Sequence, residues 1–350
     1  AWKGTETTQG ENDADLGQQV EFRSIITVYP GTDNLIFHDQ MCEGLTFTQA
    51  DANNIAIQFT NTSGSLDKTL AVNSDYTVEF NAGGKVPHVS TDITGDCTFH
   101  IKFKDSLFEE LQSTSTYTLT ITYTATLNRN AAIGVEGNQN TSMISYGDKY
   151  HATPGSITKT RTYGFTGVKI DAVTKAGLSD TEFELRANNS GTPGDVIDLI
   201  DTGTTDATGA EIYRVATAED RADSIDTTIP KENRPVILES FVTNDKGRFV
   251  INGLDASTYY LVETEAKDGY NKLKDPVAVT ISYDSDTKTV VIKQGDQGTV
   301  SEVKIENGSG SLLPSTGGMG TTIFYIVGAV LLIGAVVLLI TRKRMNAERN

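Results

Sequence analysis

Two groups of residues in this 350-residue sequence have the types and spacing to do chemistry. The first is the pentapeptide Leu313, Pro314, Ser315, Thr316 and Gly317, which follows a short linker (Ser309, Gly310, Ser311, Leu312) and precedes a long apolar run. Proline fixes its own φ and makes an extended kink, and a flexible linker exposes it. Held on the outer side of a membrane anchor, such a peptide suits the groove of a transpeptidase. The second group is polar where its strand neighbours are apolar. Residues two apart in a strand share a face, so Lys169 shares one with Phe165 and Gly167, Glu263 with Tyr259 and Leu261, and Asn307 with Val303 and Ile305. Burying an unpaired charge is expensive, which drives a buried lysine toward the neutral amine and a buried glutamate toward the neutral acid. A neutral amine can attack an asparagine carboxamide while a protonated carboxyl polarises the carbonyl and shuttles protons. Ammonia is released and a Lys–Asn isopeptide remains.

The elements that must position these groups are strands and one long helix. Ile323 to Ile340 is free of charge, and Thr321 and Thr322 extend the stretch to 321–340. At ~1.5 Å per residue it reaches ~30 Å, the thickness of a bilayer's hydrocarbon core. Arg342, Lys343 and Arg344 follow at once, which puts the C-terminus in the cytoplasm and residues 1–320 outside. Before residue 310 the pattern is β. In YTLTITYTATL, Tyr117 to Leu127, apolar residues alternate with threonines, and Tyr76 to Phe80, Cys97 to Phe103 and Thr181 to Ala187 alternate in the same way. Asn244 to Gly247 reads as the turn of a hairpin, and Asp105 to Leu111 as the only, short, helical stretch. The expected class is all-β, as tandem antiparallel β-sandwiches followed by a single C-terminal transmembrane helix. A boundary is expected within 153–165. It divides the chain into domains at 1–160 and 161–308, the second carrying an insertion at about 188–231, and an anchor region at 309–350.

Composition narrows the function. With 29 Lys+Arg against 46 Asp+Glu the net charge is −17, and four of the bases lie in the last ten residues, so the bulk of the chain has no basic face for nucleic acid. The length allows two or three folded units. No methionine or signal peptide begins a chain whose C-terminus demands export, so the sequence reads as the C-terminal portion of a longer protein. His38, His88, His100 and His151 are scattered without HExxH or paired spacing, which disfavours metal catalysis; neither a metal nor a cofactor is expected. Asp284 to Asp286 lacks the glycine and distal glutamate of a calcium loop and reads as a turn. Cys42 and Cys97 are compatible with a disulfide in an exported protein or with two free thiols.

The order of pentapeptide, apolar span and basic tail resembles the cell-wall sorting signal of Gram-positive surface proteins. That resemblance implies that a sortase cysteine attacks the Thr316 carbonyl, that Gly317 leaves with the membrane helix, and that Thr316 is passed to an amine, making this chain a sortase substrate. YLVETEAKDGY, Tyr260 to Tyr270, is similar to the E-box of sortase-assembled pilins at Tyr260, Leu261, Glu263, Thr264, Ala266, Gly269 and Tyr270. It departs at Lys267, where the family usually has proline. Thr243 to Leu261 resembles the segment leading to this box in domains like the B repeat of collagen-binding adhesins. The resemblance implies Lys169 as nucleophile, Asn307 as acceptor and Glu263 as proton-shuttling acid.

Asn34 to Phe47, with His38, Asp39, Met41, Gly44 and Leu45, resembles a signature of fimbrial isopeptide-forming domains, and Gly137 to Gly147 resembles their final strand. Asp39 is then the implied acid and Asn140 the acceptor, with the lysine either Lys3 or upstream of Ala1. Tyr29 and Pro30 match part of the polymerising-lysine motif of shaft pilins, but Gly31 stands where the lysine would be, and the stretch reads as a strand end. The family implies a structural subunit of a sortase-assembled pilus, not an enzyme, whose partners are sortase, other pilin subunits, peptidoglycan and, for an adhesive role, a host-surface receptor. The alternatives are a wall-anchored adhesin or ancillary pilin stalk with a ligand-binding head upstream, and a wall-anchored enzyme whose catalytic domain lies outside this chain.

Overall fold

Tyr117–Leu127 realises the alternation in full, with the tyrosines, leucines, Ile121 and Ala125 buried and the threonines between them half-buried. In this computed structural model, which describes residues 10–62, 64–82, 84–109, 111, 115–310 and 320–347 (side chains of the last helix for 325–342), that strand organises the first half of the chain. Lys3 and the pentapeptide Leu313 to Gly317 lie outside the described residues. Tyr117–Leu127 pairs with Gln19–Val28 on one side and Ala56–Asn61 on the other, with Asp67–Thr69 and Leu45–Thr46 completing the sheet. A second sheet faces it, in the order Glu11–Asp13, Ser156–Arg161, Asn138–Tyr146, Ile36–Met41, Phe99–Phe103, Tyr76–Phe80. Between the layers Tyr123 packs on Phe22 of its own sheet and on Phe37 and Phe99 of the other, with ring centroids 5.2 to 6.0 Å apart.

Strands from Tyr163 onward build another pair of sheets. One runs Ile237–Leu238, Leu199–Thr205, Glu211–Val215, Arg248–Leu254, Tyr163–Asp171, Val303–Asn307. The other runs Thr192–Val196, Glu182–Asn189, Thr258–Glu265, Val277–Asp284, Thr289–Gln294, Thr299–Val300, with Phe241–Val242 beside Glu182–Asn189. Phe183, Phe241, Phe249 and Tyr213 cluster in the core between them. Only Thr162 separates Ser156–Arg161 from Tyr163–Asp171. Further contacts hold the two sandwiches as one compact unit: Leu16 N donates to Gly253 O, Asp255 N and Tyr259 OH donate to Asp15 Oδ1, and Arg129 pairs with Asp220 and Asp223.

Several expectations are corrected. The sheets are mixed rather than purely antiparallel. Tyr163–Asp171 pairs parallel with Val303–Asn307, and Glu211–Val215 pairs parallel with Arg248–Leu254. Asn244 to Gly247 does form a turn, with Gly247 at φ +68° and Asn244 Oδ1 accepting from the amides of Lys246 and Arg248. It is not a hairpin: Phe241–Val242 before it joins one sheet and Arg248–Leu254 after it joins the other, so the turn crosses between layers. The stretch 188–231, read as an insertion, is not irregular: it holds the strands Thr192–Val196, Leu199–Thr205 and Glu211–Val215 and the helix Ala218–Ile225. That helix is started by a capping box in which Thr217 and Asp220 satisfy each other's backbone amides. A matching box at Thr48 and Asp51 starts the helix Gln49–Asn53, whereas Asp105 to Leu111 yields only a 3-10 turn at Asp105–Leu107. Both boxes use Thr-x-x-Asp, a signal that period-counting of apolar residues does not detect. Cys42 and Cys97 are free thiols, not a disulfide: Cys42 Sγ lies 4.0 Å from Asn138 Oδ1, while Cys97 Sγ faces the His38 ring.

Residues 269–271 and 308–347 belong to a second unit. There Tyr270 bridges Ser309, and Asn271 N donates to Gly308 O. The helix Gly320–Ala347 is the one helix among the described residues long and apolar enough to cross a membrane, and its valines, leucines and isoleucines are exposed along the span Tyr325–Arg342.

Candidate functional site

Three strands bring Lys169, Glu263 and Asn307 together inside the second sandwich. Tyr163–Asp171 and Val303–Asn307 are parallel neighbours in which Lys169 stands opposite Ile305 and Asp171 opposite Asn307. Lys169 and Asn307 are therefore diagonal neighbours on one face, within reach of a long side chain. Glu263 comes from Thr258–Glu265 in the facing sheet, where its strand partner is Phe183. The lysine's backbone is held from its open side, its N–H donating to Gly247 O and its carbonyl accepting from Leu178 N. A Cβ on Gly247 would fall 2.2 Å from Lys169 O, which is why the layer-crossing turn ends in glycine. Gly167, one step back on the lysine's face, leaves room for the Phe249 ring.

All three side chains are removed from solvent. Asn307 Nδ2 donates to Glu263 Oε1 at 2.6 Å, and Lys169 Nζ stands 3.4 Å from Glu263 Oε2. The glutamate thus touches amine and carboxamide with its two oxygens, while Lys169 Nζ, Glu263 Oε2 and Asn307 Oδ1 complete no hydrogen bond among the described residues. Burial brings the Lys169 amine down to about 8, against the opposing attraction of the Glu263 carboxylate. Orphaned buried polar atoms are rare and ask for an explanation; here an amine, a carboxyl and a carboxamide share one buried site.

The first sandwich gathers a related set. Asp39 on Ile36–Met41 and Asn140 on Asn138–Tyr146 are diagonal neighbours, because Ser142 stands opposite Asp39 and Asn140 opposite Met41. Asn140 Nδ2 donates to Asp39 Oδ2 at 2.9 Å, and Tyr123 OH donates to the same oxygen at 2.5 Å. Burial raises the Asp39 carboxyl to about 7 and Tyr123 well above its ordinary value. Asp39 Oδ1 and Asn140 Oδ1 are buried without a donor among the described residues. Tyr123 escaped the sequence reading because its alternation marked it only as core; the signal was its hydroxyl, which once buried needs a partner. Three of the four histidines come together, since His38 and His100 stand opposite each other on paired strands and His38 packs edge-on against His88, while His151 is exposed beside Asp92.

A family model of the SpaA type, a prealbumin-like fold domain, matches residues 164–296, and a model of the LPXTG cell wall anchor motif matches residues 305–347. No curated protein matches the chain by sequence. Among solved structures, the pilus 2b backbone protein of group B streptococcus is similar at 20% identity and a TM-score of 0.54, over 87% of this chain and 98% of that one. The 35 kDa C-terminal fragment of a major pilin of Streptococcus agalactiae is similar at 19% identity and 0.51, over 85% and 96%. The pilus backbone of Streptococcus pneumoniae is similar at 14% and 0.50, over 85% and 94%. At these identities the likeness is one of fold. The chain is therefore a wall-anchored surface protein with the fold of streptococcal backbone pilins, its residues 164–296 forming a SpaA prealbumin-like domain and its residues 305–347 an LPXTG cell wall anchor.

Proposed function

We propose that this chain is a structural subunit of a sortase-assembled pilus, joined to its neighbours or to peptidoglycan through Thr316 and welded internally by a bond between Lys169 and Asn307. The observation that carries the reading is the buried carboxyl group of Glu263 touching the lysine amine with one oxygen and the asparagine amide with the other. Lys169 Nζ attacks Asn307 Cγ as the neutral amine. Glu263, as the acid, hydrogen-bonds the carboxamide, gives its proton to the departing Asn307 Nδ2 and is restored by the proton that the attacking amine loses. The new Nζ–Cγ bond forms as the Cγ–Nδ2 bond breaks, and Nδ2 leaves as ammonia, so Glu263 is regenerated. The reaction happens once per molecule, which makes the chain its own single-turnover reagent and not an enzyme with an external substrate.

In the first sandwich the Asp39 and Asn140 pair has the acid and the acceptor of the same reaction. Two unfilled acceptor oxygens there are a fitting seat for an amine, and we assign that amine to Lys3 or to a residue upstream of it.

Intact-mass measurement tests the reading. The folded chain is expected to be lighter than its sequence mass by ~17 Da for each bond, the mass of the ammonia released. Glu263→Ala should restore ~17 Da and Lys3→Ala should decide the second bond. A wild-type chain at full sequence mass, or a deficit that neither Glu263→Ala nor Asn307→Ala reduces by ~17 Da, removes the proposed bond.

A further inference from the structure

Interior-facing Phe37 and Asp39 leave His38 on the opposite surface of Ile36–Met41, yet His38 is fully buried there. Several side chains meet it on that surface. His100 is its cross-strand partner, with ring centroids 4.6 Å apart. Cys97 enters from the irregular segment between Tyr76–Phe80 and Phe99–Phe103, which is pinned because Cys97 and Val86 exchange both backbone hydrogen bonds. One donor atom from each of His38, Cys97 and His100 lies within 4.8 Å of the other two.

The ring nitrogens are sorted as metal ligands are. His38 Nε2 meets Ser145 Oγ at 2.7 Å, which leaves Nδ1 free to face Cys97 Sγ at 3.9 Å. His100 Nδ1 faces the Glu79 carboxylate at 3.6 Å, which leaves Nε2 buried and without a hydrogen-bond partner among the described residues. A metal-bound histidine almost always gives its second nitrogen to a hydroxyl, carboxylate or carbonyl in this way, fixing tautomer and orientation. His88, half-buried beside His38, adds another unpartnered buried nitrogen, Nδ1.

We propose that His38 Nδ1, Cys97 Sγ and His100 Nε2 form a binding site for a borderline-soft divalent cation of the zinc class, with His88 or water in the fourth position. One thiolate and two or three imidazoles are a zinc donor set, and bond lengths of ~2.0 to 2.3 Å require these atoms to close in by about 1 Å. The arriving cation displaces the Cys97 thiol proton to solvent as the metal–sulfur bond forms. Bound there, the cation clips the segment around Cys97 to the two strands beneath it.

The probe is Co²⁺ alone, added to the full chain in detergent micelles and followed by absorption. One Co²⁺ per chain with a thiolate-to-cobalt charge-transfer band is expected. Cys42→Ser should keep that band, assigning it to Cys97 without altering Cys97, and Zn²⁺ should abolish it by displacement. His100→Asn should weaken binding by about tenfold or more, since even a lost supporting contact costs that much. Absence of the charge-transfer band in the wild type overturns the proposal, as does a band that Cys42→Ser removes. Binding without a band, seated on exposed groups such as His151 and Asp92, overturns it equally.

Discussion

Lys169 is useful because burial weakens its hold on a proton. With the amine brought to about 8, roughly a tenth of it is neutral at pH 7, and each further unit of acidity cuts that fraction about tenfold. The sign is fixed by which form reacts: only the deprotonated amine is a nucleophile, so acid slows the bond. A chain refolded from denatured, unbonded material should lose its ~17 Da at a rate that climbs about tenfold per pH unit up to about pH 8 and then levels. Time-resolved intact mass measures this, and a flat profile from pH 6 upward would remove deprotonation of Lys169 from the slow step. The three partners were legible as residues out of character with their strand faces. Their contact was not, because nothing local says that the strand bearing Glu263 faces the pair bearing Lys169 and Asn307.

At the scale of elements, the parallel pairing of Tyr163–Asp171 with Val303–Asn307 decides how the second sandwich bears load. Tension entering at Tyr163 and leaving past Asn307 pulls these two strands in opposite directions along their length, a shear on their hydrogen bonds. The proposed Lys169–Asn307 bond would relieve that shear, carrying force from strand to strand and leaving residues 170–306 unloaded. It also closes a loop of ~140 residues, which by the chain-entropy scaling for crosslinks is worth about 5 kcal/mol. Single-molecule pulling should show no extension from this segment in the wild type. In Asn307→Ala, unfolding should release roughly 450 Å of chain, from ~137 residues at about 3.4 Å each. Release of that length from the wild type would mean that no crosslink bears the load.

For the whole molecule, continuity matters more than any one contact. The first sandwich reaches the second through Thr162 alone, but Asp15, Leu16 and Arg129 fasten it to Gly253, Asp255, Tyr259 and the helix Ala218–Ile225. Within this compact unit the two sandwiches meet as packed neighbours, as suits a protein that transmits tension. The LPXTG anchor then determines where the chain ends up. Thr316→Ala should abolish the ladder of boiling-resistant covalent multimers in wall extracts and leave monomer in the membrane fraction. An undiminished ladder would take Thr316 out of the linkage.

The amino-acid order by itself determined what depends on near neighbours. The alternation in Tyr117–Leu127 marked a half-buried strand, the charge-free run to Ile340 marked a span, and the polar residues at 169, 263 and 307 broke the pattern of their own faces. The tertiary structure alone decided which distant strands lie side by side. It sent the strands flanking Asn244 to Gly247 into opposite layers, drew three strands out of 188–231, set Tyr123 over Asp39 and Asn140, and drew His38, His88, Cys97 and His100 into one cluster. Period and turn chemistry act over a few residues, whereas strand partnership is won by the arrangement that buries the most apolar surface with every backbone group paired, a contest involving the whole chain at once.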